Sequence, residues 1–217
     1  MYTGDVVVGG PAQVHRLDGL HVTKLAVGPH NNNVYLLECT SSREQLLIDA
    51  AAQASMILDL IGDQGLGQIL TTHYHYDHWG ALAEVVKTTG ATTLAHPAEA
   101  AGIPVPTDVE VRHGGTVCVG DLTLQVIHLI GHTLGSVALV YREPGGRYHI
   151  WTGDSLFPGG VGKTHAEPEL FQLLYSGVIS RIFDAFPDDT WIYPGHGADT
   201  TIGAERPYLI DWAQRGW

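Results

Sequence analysis

The sequence predicts a mixed α/β fold in a chain of 217 residues. Short apolar runs typical of buried strands alternate with segments whose apolar residues have helical spacing, and the alternation falls into two rough halves. Glycine-flanked turns that carry histidine or aspartate follow several of the predicted strands. Because α/β proteins place their chemistry in loops at strand ends, these turns are the candidate functional site.

The first half is predicted to be mainly extended ahead of its first helix. Residues 1–13 are rich in glycine, and we expect them to pack loosely or to join an edge strand. Ala54–Ile61 has helical spacing and is closed by Gly62. The predicted strands of this half lie at 20–27, Val34–Leu37 and Leu46–Ala50.

Residues 72–80, Thr-His-Tyr-His-Tyr-Asp-His-Trp-Gly, carry the densest group of metal-ligand side chains. The apolar run 68–72 before them predicts a buried strand, and 79–88 after them has helical spacing. The ligands therefore lie on a loop between a strand and a helix.

The spacing within this loop suits two cations. Residues i and i+2 of an extended loop point the same way, so His73 and His75 can bind one cation. Asp77 and His78 lie beyond the bend and can face a second. Asp77 could instead cap the helix without any metal, but the density of ligands favours a metal site.

The second half repeats the pattern of strands followed by helices. Residues 96–108 contain three prolines and are predicted to form a loop with one helical turn. Helices are predicted at Glu167–Phe186 and Glu205–Gln214. The predicted strands lie at Thr92–Ala95, Val109–Val111, Thr116–Val119, Leu122–Leu129, Ser136–Tyr141, Tyr148–Thr152 and Thr190–Tyr193.

Composition excludes several classes of function. The formal net charge of −12 argues against a nucleic-acid or anionic-membrane partner, which would need a basic face. No signal peptide or membrane-length apolar run is apparent, so we expect a cytoplasmic protein. Cys39 and Cys118 are expected to be two buried thiols, although one bridge between them is left open.

Three further turns after predicted strands hold one ligand-type residue each. They are His132 in Gly-His-Thr-Leu-Gly-Ser, Asp154 in Thr-Gly-Asp-Ser-Leu-Phe and His196 in Pro-Gly-His-Gly. Each alone could be a solvated turn residue, but with residues 72–80 they make a set of seven. The motifs and their order resemble the metallo-β-lactamase-fold hydrolases, and within them the glyoxalase II-like group of short, single-domain hydroxyacylglutathione hydrolases.

That resemblance implies a four-layer αββα sandwich over residues 1–217, without a C-terminal helical glutathione-binding domain. It also implies two divalent metal ions at one edge, zinc, iron or a mixed pair. Asp77 and Asp154 are expected to take part in catalysis. The implied ligands are His73, His75 and His132 on one ion, and Asp77, His78 and His196 on the other, with Asp154 bridging and Asp49 supporting the loops.

The expected reaction is hydrolysis of a small-molecule thioester. Two cations can share a hydroxide, because metal binding lowers the pKa of water to about 7. A thiolate is a good leaving group that needs no strong general acid. By resemblance, Lys163 stands where the family contacts the glutathione portion of its substrate, and His165 stands where the human-type enzyme has a tyrosine. The oligomeric state is left open.

Three alternatives remain at this point. A persulfide dioxygenase-like oxidoreductase would hold one iron at His73, His132 and Asp154. A lactone or β-lactam hydrolase would use the same centre, and a zinc-storage protein would need fewer ligands. Outside the set, His128 is expected to pack in a strand. The histidines expected to be ordinary loop or surface residues are His15, His21, His30, His96, His113 and His149.

Overall fold

The computed structural model describes residues 2–216, so Met1 and Trp217, the ends of the predicted domain, lie outside the described residues. The first sheet has seven strands in the order of the chain. Its first four strands are antiparallel neighbours and the rest are added in parallel. They are β1 (Gln13–Arg16), β2 (Leu20–Val27), β3 (Asn32–Cys39), β4 (Gln45–Ile48), β5 (Gln68–Leu70), β6 (Thr92–Ala95) and β7 (Val109–Glu110).

The second half of the chain forms a six-stranded sheet and a separate hairpin. The strands are β8 (Thr116–Val119), β9 (Leu122–His128), β10 (Val137–Arg142), β11 (Tyr148–Gly153), β12 (Leu156–Phe157), β13 (Gly160–Val161), β14 (Trp191–Pro194) and β15 (Thr200–Thr201). The sheet order is β15-β14-β11-β10-β9-β8, and β12 pairs with β13 in the hairpin.

Residues 2–216 form seven α-helices. They are α1 (Ala54–Ile61), α2 (Tyr76–Trp79), α3 (Leu82–Thr89), α4 (Pro97–Ala100), α5 (Pro168–Val178), α6 (Ile202–Glu205) and α7 (Leu209–Arg215). Ile57 and Val85 pack α1 and α3 against the first sheet, while Leu174 and Trp212 pack α5 and α7 against the second. A third apolar cluster, which includes Leu37 and Leu139, fills the space between the sheets. The predicted four-layer αββα sandwich is confirmed.

Several helix boundaries differ from the prediction for tertiary reasons. The helix expected over 79–88 is split at Gly80, where a Cβ would lie 2.8 Å from the carbonyl oxygen of Ala51. The long helix from 167 ends at Val178 and continues as one π-helical turn, Ile179–Phe183. The last helix is divided by a 3₁₀ turn, Arg206–Tyr208, that contains a proline.

The N-terminal segment is anchored at several residues while others remain exposed, and its last residue, Gln13, begins the edge strand β1. Tyr2 donates a hydrogen bond to Asp199, Val6 is buried, and the carbonyl oxygen of Gly4 accepts from Lys24. These contacts hold the segment ahead of the edge strand β1.

The cysteines and some histidines also differ from expectation. Cys39 is buried but Cys118 is exposed, and both are free thiols. His149 is fully buried in β11, where it contacts the Tyr193 hydroxyl and Glu143, so its prediction as a surface residue is wrong. In residues 2–216, no helix combines the length and apolarity that a bilayer-spanning segment requires.

Candidate metal centre

The seven predicted ligands come together at one edge of the sandwich. Residues 71–78 follow β5, and the turns that hold His132, Asp154 and His196 follow β9, β11 and β14. Both sheets therefore contribute strand ends to the same edge, the usual place for α/β chemistry. The structure places six of the seven side chains in two adjoining groups of three, and a third group, His73, His78 and Asp154, links them through the seventh.

The first group, the histidine cluster, consists of His73, His75 and His132. His73 Nε2 lies 3.1 Å from His75 Nδ1 and 3.2 Å from His132 Nε2. His73 and His75 come from the loop after β5, whereas His132 comes from the other sheet. One nitrogen of each ring thus faces a common point.

The second group, the aspartate cluster, consists of Asp77, His78 and His196. His78 Nε2 and His196 Nε2 are 3.3 Å apart. Asp77 Oδ2 lies 3.7 Å from the former and 3.4 Å from the latter. Helix α2 presents Asp77 and His78, because its first turn begins right after His75.

Asp154 lies between the two clusters. Its Oδ2 is 3.6 Å from His132 Nε2 and 3.4 Å from His196 Nε2, and its Oδ1 is 3.4 Å from His78 Nε2. Oδ1 is buried and has no hydrogen-bond partner within residues 2–216. A buried carboxylate oxygen without a partner is costly, so a group that the polypeptide does not supply fits here.

The ring orientations test whether a cation fits. His132 Nδ1 lies 2.8 Å from the carbonyl oxygen of Lys163, and His196 Nδ1 lies 2.9 Å from that of His30. A carbonyl oxygen only accepts, so both Nδ1 atoms carry the proton and both Nε2 atoms present lone pairs in the neutral rings. His132 Nε2 therefore points its lone pair at His73 Nε2, which is an unfavourable contact. A cation bound between these two nitrogens would remove it. The donor set fits divalent transition metals.

Asp49 positions the loop after β5 through hydrogen bonds with Thr72 and His78. Its carboxylate accepts from the backbone N–H and the hydroxyl of Thr72, both at 2.8 Å, and from His78 Nδ1 at 2.8 Å. Because the Thr72 hydroxyl donates to Asp49, it accepts from His73 Nδ1 at 3.0 Å. One buried aspartate thereby orients a ring in each cluster, as outer partners of metal ligands do.

Burial controls the charge of the histidine cluster. It lowers the pKa of His73 well below the usual value and that of His132 as well. Burial, with help from His132, lowers the pKa of His75 to about 4. The three rings are therefore neutral at physiological pH, which is the form that binds a metal.

The aspartate cluster behaves in the opposite way. Burial alone would lower the pKa of His196, but hydrogen bonds with Asp154 and Asp77 raise it to about 9. Burial would raise the pKa of Asp154, but His78 and His196 hold it well below its usual range. This cluster therefore holds positive charge beside two carboxylates, where a cation could replace a proton.

A cavity of about 580 Å³ opens over both clusters. The β12–β13 hairpin and the segment after it form one wall, which includes Lys163 and His165. Both side chains are exposed, and the His165 ring lies 6.4 Å from that of His75. His165 has a left-handed φ of 55°, a strained conformation that is concentrated at functional sites.

Sequence reasoning missed several residues that shape this site. Asn32 is buried and donates to Asp77 Oδ2 at 3.0 Å, and His30 lines the cavity. Both lie in the run Gly-Pro-His-Asn-Asn-Asn at 28–33, which was the available signal. Glu99, buried on α4, contacts the backbone on two sides of the histidine cluster. It lies in a proline-rich segment whose pattern carries no such signal.

Comparisons with known sequences agree with the geometry. The model of the metallo-beta-lactamase superfamily matches residues 27–196. A probable hydroxyacylglutathione hydrolase of Schizosaccharomyces pombe is 31% identical over 185 residues, which cover 81% of this chain and 68% of that protein. A hydroxyacylglutathione hydrolase of Polaromonas is 31% identical over 169 residues, covering 77% of this chain. The match spans only 62% of the Polaromonas protein.

Solved structures with the same fold include three with substantial sequence similarity. ETHE1 from Myxococcus xanthus has a TM-score of 0.77 and 29% identity, covering 89% of this chain and 84% of that one. The B3 metallo-beta-lactamase BLEG-1 has a TM-score of 0.74 and 27% identity, covering 87% and 99%. A protein solved in a di-iron-bound form has a TM-score of 0.69 and 30% identity, covering 84% and 96%.

Proposed function

Because this chain belongs to the metallo-beta-lactamase superfamily, we propose that it is a binuclear metal-dependent hydrolase that cleaves small-molecule thioesters. The observation that carries the proposal is the pair of three-residue clusters on either side of one buried carboxylate, beneath an open cavity. Relatives named hydroxyacylglutathione hydrolases support the thioester as substrate.

The histidine cluster would hold one divalent ion and the aspartate cluster the other, with Asp154 between them. When bound, such a pair supplies a nucleophile from water near neutral pH and polarises the substrate carbonyl. The polypeptide contributes orientation and charge. Backbone carbonyl oxygens and Asp49 fix the imidazoles, while Asp77 and Asp154 balance the positive charge.

The metal we favour is zinc, with iron or a mixed pair as the alternative. Imidazole and carboxylate ligands suit both metals, so the donor set does not separate them. The similar protein solved in a di-iron-bound form makes iron a specific competitor.

Thioester cleavage suits the groups that line the cavity. A thiol has an ordinary pKa of about 8.5, so it leaves as a thiolate without a strong general acid. Lys163 and His165 stand together on one wall and are exposed to an incoming substrate. We assign that wall to the thiol portion of the substrate, with Lys163 facing a carboxylate on it.

A second candidate is a persulfide dioxygenase-like oxidoreductase with one iron. His132 Nε2 lies 3.2 Å from His73 Nε2 and 3.6 Å from Asp154 Oδ2, so a set of two histidines and one carboxylate is close together. Such sets bind iron that activates oxygen. Similarity to BLEG-1 supports a third candidate, a β-lactam or lactone hydrolase with the same centre.

One set of measurements separates these candidates. We would determine the metal content of purified protein and follow thiol release from S-lactoylglutathione, with and without a chelator. The expected result is two ions per chain and cleavage that a chelator abolishes and zinc restores. A lactone and a chromogenic cephalosporin serve as competing substrates. One tightly held iron, with persulfide-dependent oxygen consumption and no thiol release, would overturn the proposal.

A further inference from the structure

Glu99 is a buried carboxylate that belongs to neither metal cluster. It lies on α4, is only 1% exposed, and is separated in sequence from every ligand. A buried charged group persists only when specific contacts compensate its loss of hydration. Its partners therefore indicate what it does.

Each oxygen of Glu99 accepts a hydrogen bond from a different loop. Oε2 accepts from the backbone N–H of Tyr74 at 2.7 Å, and Oε1 accepts from that of Gly135 at 2.6 Å. Tyr74 lies between His73 and His75 in the chain. Gly135 lies three residues after His132, in the turn that joins β9 to β10.

The α4 segment packs closely against the His73–His75 loop and against the turn after β9. Neither contact leaves room for a residue larger than glycine. A Cβ on Gly135 would lie 2.7 Å from Glu99 Oε1 and 2.7 Å from His96 Nδ1. A Cβ on Gly102, just after α4, would lie 2.7 Å from the Cβ of Tyr74. The α4 segment is thus in close contact with both loops.

The histidine cluster depends on the relative position of those loops. His73 and His75 come from one loop and His132 from the other, and the facing nitrogens of the three rings lie close together, at 3.1 Å between His73 and His75 and 3.2 Å between His73 and His132. A cation bound there needs the lone pairs of all three rings to meet at one point, so the relative position of the loops sets its affinity. A backbone bond from Val137 N–H to the Thr72 carbonyl oxygen joins the loops at one end, and Glu99 joins them at the other.

We propose that Glu99 is a positioning residue for the histidine cluster, because its two oxygens hold the His73–His75 loop and the His132 loop in register. This inference rests on the metal centre proposed above. It predicts that loss of one acceptor weakens the ion at the histidine cluster and leaves the ion at the aspartate cluster unchanged. Outer partners of metal ligands typically contribute about 10–100-fold to metal affinity.

Zinc titration of metal-free protein by calorimetry, with a competing chromophoric chelator, tests the proposal. In Glu99→Gln, the amide keeps the size of the side chain but presents an N–H group to one of the two backbone donors. Wild type should bind two ions, and the variant should bind one of them about 10–100-fold more weakly. Unchanged affinity for both ions, or an equal loss for both, would overturn the inference about Glu99. Wild type that binds no ion would instead overturn the metal centre itself.

Double variants identify the ion that is lost. Glu99→Gln combined with Asp77→Asn should retain no tightly bound ion, because each change weakens a different cluster. Glu99→Gln combined with His132→Ala should retain the ion of the aspartate cluster. A tightly bound ion in the double variant with Asp77→Asn, or none in the double variant with His132→Ala, would contradict the assignment of the weakened ion to the histidine cluster.

A matched control and a second variant separate positioning from folding. Glu205 is also a buried carboxylate on a short helix, and it accepts from Gly159 N–H and the Thr200 hydroxyl, which belong to neither cluster. Glu205→Gln should keep both affinities. If Glu99→Gln fails to fold, Gly135→Ala leaves the carboxylate in place but forces Oε1 away, and the same selective weakening is expected. Loss of both ions in Gly135→Ala would count against the proposal.

Discussion

Lys24 and Asp199 form an ion pair with 2.7 Å between Nζ and Oδ1, and their side chains are 0% and 1% exposed. Lys24 also donates to the carbonyl oxygens of Gly4 and Gly197. Asp199 Oδ2 accepts from the Tyr2 hydroxyl and from the Trp191 indole N–H. The pair therefore joins the N-terminal segment to the loop that carries His196.

Replacing Lys24 by Met should destabilise the protein strongly. Methionine fills similar space but leaves the Asp199 carboxylate buried without its cation. Breaking a buried pair in this way costs about 3–5 kcal/mol, which urea unfolding of the metal-free protein measures. Lys87→Met, on the exposed face of α3, should change stability by at most about 0.5 kcal/mol.

The double variant Lys24→Met/Asp199→Leu should recover part of the loss, because it removes the unpaired charge as well. Recovery should be incomplete, since the hydroxyl of Tyr2 and the indole of Trp191 lose their acceptor. A single variant as stable as wild type would show that the pair does not contribute to folding.

Asp154→Asn should weaken both metal ions and reduce activity by several orders of magnitude. The substitution removes a negative charge between the two clusters and alters a carboxylate that lies within 3.6 Å of His132 and 3.4 Å of His78 and His196. Metal content after dialysis and the rate of thioester cleavage report the two effects. Asp59→Asn, exposed on α1, is the matched control and should retain both. Full metal content in Asp154→Asn would contradict the proposed position of Asp154 between the ions.

The two ions should differ in how pH affects their binding. His75, with a pKa of about 4, is already unprotonated at pH 7, so the histidine cluster should bind its ion without releasing a proton. His196, with a pKa of about 9, must lose a proton first. Burial would lower the pKa of His78, but Asp49 and Asp154 raise it well above its usual value as well. Affinity at the aspartate cluster should therefore fall by at least roughly tenfold for each pH unit below about 9.

Calorimetry in two buffers with different ionisation enthalpies measures this proton release. At pH 7.5, one ion should bind with little proton release and the other with at least one proton. His75→Ala should abolish the pH-insensitive event and leave the other. Identical proton release for both ions would contradict the difference in charge between the clusters.

Local patterns explain which parts of the fold could be predicted. The helix Ala54–Ile61 and the strand Thr92–Ala95 match the prediction at both ends, because each has a clear apolar period and a nearby breaker. The hairpin of β12 and β13 has two residues in each strand, too few to show any period. The split at Gly80 depends on the carbonyl oxygen of Ala51, a tertiary contact that no local pattern records.

The same distinction applies to the metal centre. The candidate ligands could be found because histidine and aspartate are chemically distinctive and four of them lie within six positions. The residues that support these ligands could not be found from the sequence. Asn32 is 45 residues from Asp77, and Glu99 is 36 residues from Gly135. Asparagine and glutamate are common surface residues, so only the fold shows which of them are buried against the site.

Lys163→Ala should raise KM for a substrate whose thiol portion carries a carboxylate, with little change in kcat. The proposed contact is made in the ground state and the transition state alike. The backbone carbonyl oxygen of Lys163, which accepts from His132 Nδ1, is retained in the variant. Because the side chain is exposed, the contact contributes at most about 1 kcal/mol, or about fivefold in kcat/KM. Added salt should reduce the difference.

The comparison uses S-lactoylglutathione and a small neutral thioester, with Lys87→Ala as the control. An equal loss on both substrates would mean that Lys163 supports the cavity wall and does not recognise the thiol portion.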